Sequence, residues 1–230
     1  MPRFGDDEDE AIRALQAARR FAHAGNYADA LERHEWYHHN ALRIDEASNY
    51  GVRLSTALSL WKELADQYPP ALDSLKATRD AALEELEAGT GSTQSFHDIV
   101  SINEQLGEET ATVALFKTLA GKHPALARKC FLYARDTLIN QGEIELFLEH
   151  GGELVRYLED QIRLHKEIVK MIKFTTARHE RKDSIKESDD DLVETTLQLV
   201  ALATRQGDTA TVTRLKALAF KRVPDPRIRP

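Results

Sequence analysis

Glycines and prolines punctuate this chain at short intervals, and between them the apolar residues recur at the helical period and never alternate. The breaks fall at Gly25-Asn26, Pro69-Pro70, Gly89 to Ser92, Gly107, Pro124, Gly142, Gly151-Gly152, Gly207-Asp208 and Pro224. Each offers a residue that tolerates the left-handed conformation or one that blocks a further helical turn. The segments between them are rich in Ala, Leu, Glu, Lys, Arg and Gln, the strongest helix formers. Runs of alternating β-branched residues are missing, so no strand is predicted. The expectation is an all-α chain of short, antiparallel helical hairpins.

The stripes support that reading. Ile12, Leu15, Ala18 and Phe21-Ala22 make one, and Leu54, Leu58, Trp61 and Leu64-Ala65 another. Ile99, Ile102 and Leu106 make a third, answered by Val113, Phe116 and Leu119-Ala120. Leu192, Leu199 and Ala203 make the last. One segment, around 153–178, reads as a single long helix with Leu154, Tyr157-Leu158, Ile162, Leu164-His165, Ile168-Val169 and Ile172 on a broad apolar side. The Lys-, Asp-, Ser- and Glu-rich stretch 180–191 is expected as a polar loop. Residues 223–230 hold three prolines and are expected as an extended tail. The domain reading is one helical array over 1–222, with that loop inside it.

The pattern also resembles the tetratricopeptide repeat. Over Ala18 to Leu31, Phe21 closes a first helix, Gly25 makes the turn, and Tyr27 and Ala30-Leu31 follow. From Phe96 to Pro124, Phe96, Ile99, Gly107, Phe116 and Pro124 stand at the repeat's marked positions, with Thr112 where the second helix has alanine. Trp61, Tyr68, Ala71 and Leu72, then Phe131, Ala134 and Gly142, and finally Gly207 and Pro224, give fainter copies. The turn glycines do not keep a steady period of about 34 residues. The resemblance implies a short, degenerate, tetratricopeptide-like α-solenoid whose first helices line a concave groove. Carried over by position, the groove residues are Arg19 and His23 from one unit and His97, Ser101 and Glu104 from another.

Charge and composition limit the partners. The formal net charge is −7, which disfavours nucleic acid and anionic membrane. No apolar run approaches the ~20 residues of a membrane span. No apolar segment follows a basic start, and the single cysteine, Cys130, permits no intrachain disulfide. A cytoplasmic protein is expected, with Cys130 as a small buried apolar side chain. Lys221, Arg222, Arg227 and Arg229 make the C-terminus basic, and a solvated tail is the simplest account of them.

Two motifs invite chemistry. His34-Glu35-Trp36-Tyr37-His38 satisfies H-E-x-x-H, a spacing that puts two imidazoles on one helical face, where they hold Zn²⁺ while the glutamate polarises a water. Glu63 is the candidate third ligand, with Asp66 behind it. Against a zinc-dependent hydrolase stand the charged residues around the motif and the missing strands. His34 also coincides with a packing position of the repeat. Gly89-Thr90-Gly91-Ser92-Thr93 lacks the Lys-Ser/Thr ending of a phosphate loop and reads as a linker between hairpins. The leading expectation is therefore a non-enzymatic protein-interaction module, an adaptor or an inhibitor, that needs no cofactor and binds a protein or peptide. Self-association through the long helix is a further expectation, and the oligomeric state is open.

Overall fold

The structure, a computed structural model, describes residues 8–230, with side chains from Glu10 onward; the acidic start over residues 1–7 lies outside them. The described residues form twelve α-helices and one 3₁₀ turn and contain no strand. They gather into two compact units, Met1–Tyr133 and Ala134–Pro230, where the sequence reading placed one array.

The first unit holds α1 (Glu8–His23), α2 (Tyr27–Ile44), α3 (Glu46–Leu54), α4 (Thr56–Ala65), α5 (Pro69–Glu87), α6 (Thr93–Leu106) and α7 (Glu109–Lys122). The boundary falls within α8 (Pro124–Asn140). The second unit continues with α9 (Ile144–Gly151), α10 (Leu154–Thr175), α11 (Arg181–Arg205) and α12 (Thr209–Arg222). Consecutive helices pack against each other in α1–α2, α4–α5, α5–α6, α6–α7, α10–α11 and α11–α12, so the fold is built of helical hairpins.

The helix ends follow from the glycines. Gly107 takes φ 69°, where a side chain would press on the backbone. That conformation lets the Glu108 amide donate to the Asn103 carbonyl at 2.8 Å and the Gly107 amide to the Glu104 carbonyl at 3.2 Å. The last carbonyls of α6 are thereby satisfied. The same pair of bonds closes the helices before Gly25, Gly142 and Gly207. At the other end of α6, Ser92 accepts from the amides of Gln94 and Ser95, and Ser95 answers with its own hydroxyl. The Gly89–Thr93 segment is thus a helix stop followed by a helix start. Gly91 sits so close that a Cβ there would lie 2.8 Å from the Leu86 Cα. Gly91→Ala should lower unfolding free energy by about 2 kcal/mol, read as a shifted urea midpoint at unchanged slope.

The stripes pack, though not always in the expected phase. Leu54, Leu58, Trp61, Leu64 and Ala65 enclose a core with Ala30, Ala71, Leu75 and Ile102, and the Trp61 indole donates to the Ala71 carbonyl at 3.2 Å. On α1 the buried face is Ala11, Ala14 and Ala18, while Ile12 is 47% exposed. Alanines let α1 lie close on Tyr37 and Ala41 of α2, and a larger side chain on that line would hold the helices apart. Thr112, the departure from the repeat's alanine, is 1% exposed and accepts from Asn103 Nδ2 at 3.0 Å.

In the second unit the long helix is present as α10, burying Leu154, Tyr157, Leu158, Ile162, Val169 and Ile172. Leu164, Met171 and Phe174 remain outside. Two expectations are corrected. The stretch 180–191 is no loop: from Arg181 it forms the first turns of α11. Lys182, Asp183, Lys186, Glu187 and Asp191 face water, Asp189 and Asp190 bond His165 and Arg227, and Ser188, with Leu192 just after the stretch, is buried; that one face suffices to hold the helix. Nor is the C-terminus wholly extended or solvated. Pro226–Ile228 form a 3₁₀ turn, Val223 and Ile228 are buried, and Arg227 bonds Asp225 and Asp190. Cys130 is fully buried, and burial pushes its thiol up to about 11.

Candidate functional site

The H-E-x-x-H residues lie on α2, and the face shared by the two histidines is the core face. His34 is 2% exposed and stacks on Trp61, ring centres 6.0 Å apart and planes 16° from parallel. His38 meets the same indole edge-on at 5.8 Å. Its Nε2 lies 3.1 Å from Arg53 Nη2 and can only accept there, because a guanidinium has nothing but donors. Arg53 also donates from Nε to the His38 carbonyl at 2.8 Å and from Nη1 and Nη2 to the two Asp98 oxygens, each at 2.6 Å.

One buried guanidinium therefore joins α2, α3 and α6. Burial holds both imidazoles neutral, His34 at about 4 and His38, with Arg53 beside it, at about 3. Glu35 turns the other way and accepts from Ser74 on α5 at 2.5 Å. Among the described residues no three His, Cys, Asp or Glu side chains are placed to hold a metal. The candidate zinc set of His34, His38 and Glu63 is not assembled among the described residues. His38 has its lone pair taken by Arg53, and His34 faces an indole.

Further polar bonds tie the same helices. Tyr37 donates to Asn49 at 3.0 Å, and Asn49 in turn donates to the Ala41 and Asp45 carbonyls at the end of α2. The Tyr50 hydroxyl and His97 Nδ1 are 2.9 Å apart, and His97 stacks on Tyr133 with ring centres 4.0 Å apart. Burial raises the Tyr50 hydroxyl and lowers His97.

Around this core the unit carries a cleft in two adjoining parts. One, of about 510 Å³, is lined by Arg19, His23, Tyr27, His34, Glu63 and Gln67. The other, of about 400 Å³, is lined by Ile12, Leu15, Tyr37, Asn49 and Val52. Arg19 and Leu60 border both parts. Ile12 and Val52 are 47% and 39% exposed, an unusual openness for large aliphatic side chains. Of the groove residues inferred from the repeat, Arg19 and His23 line this cleft. His97, Ser101 and Glu104 line neither part of it. His97 is engaged with Tyr50 and Tyr133, Ser101 is buried, and only Glu104 is exposed.

Sequence reasoning missed Arg53, Asp98 and Asn49. Arg53 and Asp98 lie 45 residues apart, and no local spacing marks them as a pair.

The helices and the cleft define an all-α protein of packed hairpins, and none of its described helices is long and apolar enough to cross a membrane. Comparison with known proteins matches no family model, no curated protein and no solved structure.

Proposed function

We propose that this chain is a non-enzymatic protein-interaction module, a degenerate tetratricopeptide-like scaffold that holds a segment of a protein partner in the cleft between α1 and α4. The observation that carries this reading is the mixed lining of the cleft. Exposed Ile12 and Val52 offer apolar anchoring at one end, and Arg19, His23 and Glu63 offer polar orientation at the other. Buried apolar anchors rimmed by polar groups are the usual source of affinity and register in peptide recognition. An adaptor or an inhibitor working in the cytoplasm fits the acidic net charge and the single buried thiol.

The test is to tag the C-terminus, capture the protein from its native cells and identify co-purifying proteins by mass spectrometry. A stoichiometric partner should be retained by the parent chain and lose at least tenfold in affinity with Ile12→Glu/Val52→Glu. Circular dichroism should be unchanged, because both side chains already face water. A partner held equally well by the double variant would remove the cleft from the interface.

A further inference from the structure

The second unit contains a groove that the C-terminal basic residues help to build. Helices α10 and α12 run side by side in the same direction. Arg214 meets Glu159 at 3.8 Å, and two turns further along both helices Arg222 Nε donates to His165 Nδ1 at 2.9 Å. Between them lies a groove of about 890 Å³. Its walls carry Arg156, Arg163 and Lys166 from α10 and Arg214, Lys221 and Arg222 from α12, against only two carboxylates, Glu153 and Glu159. In a chain of net charge −7, this is a local reversal of sign.

The cations are incompletely neutralised. Arg163 pairs with Asp160 of its own helix, and the Arg214–Glu159 contact is long. Arg156, Lys166 and Lys221 have no carboxylate partner among the described residues. Arg222 is fixed by a relay. A guanidinium can only donate, so His165 Nδ1 accepts, and the imidazole proton sits on Nε2, 2.9 Å from Asp189. His165 is 4% exposed, so the relay is a built feature of the groove wall and leaves the Nη groups of Arg222 unused by it.

Three features choose among anionic occupants. Arg156 and Lys166 are ten residues apart on one helix, roughly 15 Å, which is too long for a single phosphate to bridge. No aromatic ring lines the groove for base stacking, and the two glutamates would oppose a continuous phosphate backbone. The cations also alternate with Val155, Ile162 and Leu218. Ile162 is itself buried, while Val155 and Leu218 are half-buried and offer an apolar side chain from each wall, α10 and α12.

We propose that this groove docks an acidic, amphipathic helical segment of a partner protein, its apolar stripe on the half-buried Val155 and Leu218 and its carboxylates against Arg156, Lys166 and Lys221. The groove is independent of the α1–α4 cleft.

The experiment uses the full chain and a fluorescein-labelled 16-residue probe peptide made of leucine and glutamate, with leucine at i, i+3, i+4 and i+7. A permuted peptide of the same composition lacks the stripe, and a single-stranded oligonucleotide supplies equal charge. Anisotropy at low salt should show saturable binding of the striped peptide, weakened at least tenfold by Lys166→Glu/Lys221→Glu. Both lysines are exposed, so the variant keeps its fold. The permuted peptide should bind at least fivefold more weakly, and Ile12→Glu should leave binding unchanged, which separates this site from the α1–α4 cleft. No saturable binding, equal binding of the permuted peptide, or tighter binding of the oligonucleotide would each overturn the proposal.

Discussion

Arg53→Met should destabilise the first unit by about 3–5 kcal/mol, the range for removing one partner of a buried ion pair. Arg53 and Asp98 side chains are only 5% and 11% exposed, so water cannot replace the guanidinium. The variant leaves Asp98 without two bonds of 2.6 Å and the His38 carbonyl without its donor. Nothing in the variant replaces the link between α3 and α6. The pair itself contributes much less than its rupture removes, since forming it required desolvating two charges. Arg53→Met/Asp98→Leu should therefore recover most of the lost stability. Both tryptophans, Trp36 and Trp61, lie in this unit, so fluorescence-monitored urea unfolding reads it directly. A loss below about 1 kcal/mol for the single variant would mean that the site hydrates freely.

Acidification should strike the same place. His34 and His38 titrate at about 4 and about 3 in the folded protein, and near 6.5 once unfolded. Their folded values are depressed, so above 6.5 neither state binds the proton and stability is unaffected. As pH falls below 6.5 the unfolded chain takes up protons that the folded chain refuses, and stability drops until the folded values are reached. Each histidine contributes a slope of about 1.4 kcal/mol per pH unit, so moving from pH 7 to pH 5 should remove about 3–4 kcal/mol in all. His34→Phe keeps a ring on Trp61 and removes one titrating group, and should roughly halve that loss. Urea midpoints at the two pH values measure it. An undiminished loss in the variant would assign the acid sensitivity to carboxylates instead.

The histidine pair shows why much of the fold, and less of the site, was legible in the sequence. The spacing of His34 and His38 correctly put them on one face of one helix. Whether that face meets a metal or a core is decided by Trp61 and Arg53, from two other helices, and no local pattern carries that information. The glycine stops at 25, 107, 142 and 207 were legible because a left-handed end is a local property of the chain. The start of α4 was not, since Ser55 breaks α3 from α4 with neither glycine nor proline. On α1 the stripe meets the core at Leu15, Ala18 and Phe21-Ala22 and departs from it only at Ile12, because small side chains set the contact there. Ile12 is exposed, while the alanines decide how closely the helices approach. The stretch 180–191 is polar in composition, yet Ser188 within it and Leu192 directly after it supply the one buried face that a helix needs. Arg19 and His23 reached a cleft because they sit on the outer side of α1. On α6 the equivalent turn points inward to Tyr50 and Tyr133, and His97 follows it.

The burial of Cys130 bears on how the molecule moves over time. It is the chain's single thiol, it is fully enclosed within α8, and its proton is held more tightly than a free thiol's. A thiol reagent in water cannot reach it until that segment opens, and thiolate is scarce at neutral pH until it does. The rate of alkylation is thus a clock for transient opening around one position. It runs on the native sequence, without any engineered probe.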